Sequence, residues 1–85
     1  MKADRSEIER LVKTARGQLD GILKMIEEDR YCIDISNQLL ASLAVLKKAN
    51  NKIIAAHLNS CVKSAIEDGS GEQKLKELSE LIDRL

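Results

Sequence analysis

The sequence predicts an all-α chain of three helices that completes its core by pairing with copies of itself. Three observations predict it. Proline is absent and glycine occurs four times in 85 residues, so long stretches lack the residues that interrupt helices. Apolar residues recur every three or four positions, without strand-like alternation. Phe and Trp are missing and Tyr31 is the one aromatic, which leaves Leu, Ile, Val and Ala to fill a core. A chain this short covers only roughly 60% of its unfolded surface, and small scaffolds meet the shortfall with a metal, a disulfide or oligomerisation. The length suits one domain, residues 1–85.

The first helix is expected over about residues 6–28. Ser6-Glu7-Ile8-Glu9 reads as a capping box, with Ser6 at the N-cap. Ile8, Leu11/Val12, Ala15, Leu19, Ile22 and Ile26 then form its apolar stripe. Gly17 and Gly21 lie four apart inside it. They are either tolerated glycines, each costing about 1 kcal/mol against Ala, or a smooth face where another backbone approaches. Glu27-Glu28-Asp29-Arg30 ends the pattern. A second helix runs from Cys32 or Ile33 to Glu67, with the stripe Ile35, Leu39, Leu43, Leu46, Ile53, Ala56/His57 and Val62. Asp68-Gly69-Ser70-Gly71 is a break with a glycine cap, and Ser70 with Gln73 is a second capping-box candidate. Leu75, Leu78, Leu81, Ile82 and Leu85 make the stripe of a short third helix.

No stretch approaches the ~18 apolar residues needed to span a membrane, and the polar start, Met1 to Ser6, lacks the apolar region of an export signal. A cytoplasmic protein with two free thiols is therefore expected. One His, no second acid–base partner and no glycine-rich phosphate loop argue against an enzyme.

The chemistry-bearing residues are Cys32, His57 and Cys61. His57 and Cys61 are four apart, one turn on one helix face. Cys32 lies 25 residues before His57, roughly 38 Å along a continuous helix, so it cannot join them within one chain. An antiparallel pair about a two-fold axis near residue 45 would bring Cys32 of one copy beside residues 57–61 of the other, twice per dimer. Ala41, Ser42 and Ala44 are small enough to allow close approach at that centre. Two thiolates and one imidazole suit Cu(I); Zn(II) would want a fourth ligand. On spacing alone, two buried cysteines of purely structural use compete with a metal site.

Longer motifs add a resemblance. Arg16-Gly17-Gln18-Leu19-Asp20-Gly21-Ile22, then Met25 to Asp34 with its Tyr31-Cys32 pair, then Ala49-Asn50, His57-Leu58-Asn59-Ser60-Cys61-Val62 and Ala65 to Gly69 resemble the copper-sensitive operon repressor (CsoR) family over about residues 10 to 85. The resemblance implies an antiparallel helical-bundle dimer assembling into a dimer-of-dimers tetramer. It implies a Cu(I) site of Cys32 from one chain with His57 and Cys61 from another. Tyr31 and Glu77 match outer positions that couple the site to DNA affinity. The implied function is a repressor that binds operator DNA without metal and leaves it on Cu(I) binding. Persulfide sensors of this fold share both cysteines but lack the His, so a thiol-sensing repressor is the alternative within the fold. A copper-buffering oligomer that binds no DNA is the alternative outside it.

Net charge is zero, with fourteen basic and fourteen acidic side chains, but the distribution is uneven. Residues 31–64 hold Lys47, Lys48, Lys52 and Lys63 against Asp34, a net of +3, and residues 65–85 carry a net of −3. No recognition helix stands out, so DNA contacts are expected from Lys47, Lys48 and Lys52 with Arg10, Lys13 and Arg16 of the first helix. Lys48 aligns with a basic position that the family uses for DNA. Two departures stand beside it: Leu11 occupies a position where the family usually has Arg, and Thr14 one that is often basic.

Overall fold

The computed structural model describes residues 1–69 and 71–84. They form three helices in chain order: α1 (Arg5–Glu27), α2 (Cys32–Asp68) and α3 (Gly71–Asp83). The all-α expectation holds, with boundaries within one residue of those read from the sequence for the first two helices. No described helix is long and apolar enough to cross a membrane.

The start of α1 corrects the expected cap. Asp4, not Ser6, is the N-cap: its carboxylate accepts from the Ser6 amide at 3.0 Å, the Ser6 hydroxyl at 2.9 Å and the Glu7 amide at 3.4 Å. An acid two residues upstream takes the first-turn donors, and Ser6 falls inside the helix. These bonds, led by that from the Ser6 hydroxyl, hold the Asp4 carboxyl below its ordinary value. At the other end, Asp29 N–H donates to the Ile26 carbonyl and Arg30 N–H to that of Met25. Asp29 sits at φ 52°. This is a Schellman closure with Asp in the left-handed position that glycine usually takes. Gly69 caps α2 at φ 73°, as expected; the Ser70 capping-box candidate and Leu85 lie outside the described residues.

α1 folds back along α2 in an antiparallel register that brings Glu7 and Lys52 into an ion pair at 2.8 Å. Their seam is built from Ile8, Leu11, Ala15 and Ile22 of α1 against Ser42 and Ala49 of α2, all buried. Small residues on the α2 side let α1 sit close. This revises the expected stripe of α2, whose Leu39, Leu43, Leu46 and Val62 are exposed. It also moves Ser42 away from any open two-fold centre: Ser42 is 2% exposed, turned into the α1 seam, and Ala41 and Ala44 are exposed. The Ser42 hydroxyl and the Gln18 Oε1, at the same level of the seam, are both buried without a hydrogen-bond partner. Among the described residues, nothing outside α1's own backbone lies within 4 Å of a Cβ placed on Gly17 or Gly21. α3 returns along the end of α2, where a Cβ on Gly71 would stand 2.6 Å from that of Ala65; glycine permits this approach. Leu78 is the buried anchor of α3.

The chain does not close a core by itself. Its radius of gyration is 17.5 Å, against about 12 Å for a compact chain of this length. Its accessible surface is 6494 Å², against roughly 5,000 Å² for a compact monomer of this mass. The surplus is apolar: Val12, Leu19, Leu23 and Ile26 of α1 and Leu39, Leu40, Leu43 and Leu46 of α2 are all exposed.

Candidate metal centre and nucleic-acid surface

α2 is one unbroken helix of 37 residues, so side-chain direction along it follows from position. At ~100° per residue, Cys32, Leu39, Leu43, Asn50, His57 and Cys61 fall within a sector of about 40°. That sector lies about 100° around the helix from Ser42 and Ala49, which face α1. The three candidate ligands thus share a longitudinal face with leucines that this chain leaves uncovered.

Along the axis they are far apart. Cys32 stands on the first turn of α2 and is exposed. The first-turn amides and the helix dipole favour an anionic ligand there. Cys61 is separated from it by 29 residues, roughly 43 Å, in a molecule whose longest extent is 57 Å. Among the described residues no group of three or more His, Cys, Asp or Glu could hold a metal ion within the chain. Cys61 is buried in an apolar recess lined by Leu58, Val62, Ala65, Ile66, Gly71 and Leu75. His57, one turn earlier, is half-buried at the edge of the open face. The donor set fits a thiophilic ion, but one copy supplies it only in two pieces at opposite ends of α2.

Tyr31 is the N-cap residue of α2, makes no side-chain cap bond, and is 66% exposed. Glu77 is exposed on α3. Following the approach of Gly71 to Ala65 up the antiparallel pair puts Glu77 within about a turn of His57 along α2. Tyr31 thus adjoins Cys32 at one end of α2, and Glu77 stands on the helix that packs along the other end, where His57 and Cys61 lie.

Five of the six candidate DNA contacts divide between two grooves on one half of the molecule, where the first turns of α1 run beside the middle of α2. Lys13 and Arg16 line an open groove on α1 with Val12 and Ile8; Arg10 is exposed on the same helix. Lys47, Lys48 and Lys52 line another on α2, floored by Ala44 and Ala55. Arg10, Lys13, Arg16, Lys47 and Lys48 have no ion-pair partner among the described residues, whereas Lys52 is held by Glu7. Thr14 spends its hydroxyl on the Arg10 carbonyl at 2.8 Å. Sequence reading missed Glu7, because 45 positions separate it from Lys52 and only the helix register brings them together.

Comparison with known proteins agrees with this architecture. The family model for metal-sensitive transcriptional repressors matches residues 4–84. The copper-sensing transcriptional repressor CsoR of Mycobacterium ulcerans (strain Agy99) is 42% identical over 78 residues, 92% of this chain and 66% of that protein. CsoR of Bacillus subtilis (strain 168) is 39% identical over 75 residues, covering 88% of this chain and 74% of that one. The chain spans just under two thirds of the length of the mycobacterial CsoR proteins it matches. Among solved structures, the Cu(I)-bound CsoR of Geobacillus thermodenitrificans NG80-2 superposes with a TM-score of 0.84 at 40% identity, covering 99% of this chain and 91% of that one. The nickel-responsive regulator InrS superposes with a TM-score of 0.89 at 27% identity, covering 99% and 94%. Backbone likeness thus spans sensors named for different metals, and the ligand residues must choose between them. With a family model covering nearly its whole length and an all-helical architecture to match, the chain belongs to the metal-sensitive transcriptional repressors, a family of regulators rather than enzymes.

Proposed function

We propose that the chain is a cytoplasmic Cu(I)-responsive transcriptional repressor, acting as one metal-sensing and DNA-binding unit. The observation that carries this reading is the alignment of Cys32, His57 and Cys61 along one face of one continuous helix, in line with leucines that the chain leaves exposed. Two copies paired antiparallel on that face would cover the exposed leucines and close two equivalent sites. Each site would take Cys32 from one copy and His57 with Cys61 from the other. Copper is favoured by the two-thiolate, one-imidazole donor set and by relatives named as copper sensors at about 40% identity. Tyr31 and Glu77 would then arrive at the site from different copies, placed to orient its ligands. Such dimers would associate further into a tetramer.

Without copper the assembly holds operator DNA through phosphate contacts from Arg10, Lys13, Arg16, Lys47 and Lys48, an affinity that falls steeply with salt. Copper binding at the shared site favours an arrangement of helices with weaker DNA affinity. Linkage then requires DNA to weaken copper binding by the same factor.

The test combines an anaerobic Cu(I) titration against a competing chelator with binding to a duplex that the wild-type chain selects from a random-sequence pool. One copper per chain and release of the duplex on loading are expected. Cys32→Ser alone, or His57→Ala with Cys61→Ser, should abolish tight binding. Mixing the two variants should restore one of the two sites in each mixed dimer; no restoration removes the shared site. Release by persulfide but not by Cu(I) would make the chain a thiol sensor.

A further inference from the structure

Lys52 differs from the other basic candidates in having two possible destinations. Its stem lines the α2 groove with Lys47, Lys48 and Asn51, above a floor of Ala44 and Ala55. Its ammonium is paired with Glu7, with Nζ 2.8 Å from Oε1. Both side chains are about one-third exposed, 37% and 35%, so water and salt reach the pair and weaken it. A carboxylate oxygen offers an ammonium the same charge-assisted bond that a phosphate oxygen offers. Exchanging one for the other keeps the number of such bonds and changes only which anion accepts. Lys47 and Lys48 have no competing acid among the described residues.

Resting on the DNA-binding reading above, we propose that Glu7 is an internal competitor of DNA phosphate for Lys52. In the free chain the α2 groove presents two uncommitted lysines, and the third is held in reserve by the first turn of α1. Phosphate that draws Lys52 away breaks its bond to Glu7, so part of that contact is cancelled. A change that draws the start of α1 away from the middle of α2 would free the third lysine and raise DNA affinity; one that presses the two together would lower it. The Glu7–Lys52 pair is thereby a point at which helix arrangement sets groove charge.

The test is a cycle of four full-length proteins: wild type, Glu7→Gln, Lys52→Gln and the double variant. Each is titrated without metal against the duplex selected by the wild type, over a range of salt concentrations, after circular dichroism shows equal helicity. With Lys52 present, Glu7→Gln should tighten binding at least about threefold and steepen the log–log salt dependence by about 0.9 for each lysine newly engaged. With Gln at position 52, the same change should do neither. An equal gain in both backgrounds overturns the proposal, since removal of any nearby negative charge would then suffice. No gain with Lys52 present overturns it as well. Failure of the underlying repressor reading is separately visible, because the wild type would then select no duplex.

Discussion

The two sides of α2 solve different problems. The side toward α1 is lined by Ser42 and Ala49 and is closed within the chain; the side about 100° away carries Cys32, Leu39 and Leu43, all exposed, and further along His57, half-buried, and Cys61, buried in the recess against α3. Small residues suit a seam that must be tight before anything else can assemble, because they let two helix axes approach. Large ones suit a surface that gains its stability on meeting a second copy. Folding of the hairpin and completion of the proposed metal site thus rest on separate residues of one helix.

That separation can be broken from either side. The largest effect is expected for Leu43→Asp. Leu43 is 59% exposed in the chain, so the hairpin should keep its helicity. A two-fold pair would lose two buried leucines, about 3–6 kcal/mol, and fall to monomers in sedimentation. Copper binding should be lost with it. On the closed side, Ala49→Leu inserts three carbons into a 4%-exposed position. It should destabilise the hairpin by about 1–3 kcal/mol in thermal denaturation. Gly17→Ala and Gly21→Ala sharpen the comparison, because among the described residues nothing would meet the added methyl at either. Each should raise the melting temperature by the equivalent of about 1 kcal/mol if its surface stays free, and weaken assembly if a second copy packs there. Asp29→Gly relieves the left-handed strain at φ 52° and should stabilise α1 by about 0.5 kcal/mol after allowance for the freer unfolded chain. The smallest effect concerns pH. Because the folded Asp4 carboxyl lies below its ordinary value, its contribution is present above the unfolded value. It is lost as pH falls through the folded one. Acid titration of the hairpin should therefore show a low-pH loss of stability that Asp4→Asn reduces.

Much of this was legible in the sequence, for identifiable reasons. Three helices follow from the missing proline and from period, and the separation of Cys32 from His57 becomes a distance once the intervening helix is continuous. Tertiary choices were less legible. Leu39, Leu43 and Leu46 stand four and three apart and Ser42 and Ala49 seven apart, both helical repeats, and period alone does not say which of two adjoining faces meets α1. The turn at Asp29 carries no glycine to announce it. Asp4 outcompetes Ser6 as cap because its carboxylate takes two amides and the hydroxyl at once. The Glu7–Lys52 pair is a consequence of register between two helices, which no local motif encodes.

The unbroken run of α2 makes it a ruler marked in angle more than in length. Removing one residue between Cys32 and His57 would turn the first ligand by about 100° and slide it ~1.5 Å, taking it off the shared face. Inserting seven would turn it by only about 20°, and in a two-fold antiparallel pair the symmetry axis would shift by half the insertion, so both sites would re-form. The centre should therefore tolerate a change of a whole heptad far better than a change of one residue. What such a heptad would alter is the separation of the two sites, by roughly 10 Å, and with it the spacing of the basic grooves along any duplex they hold.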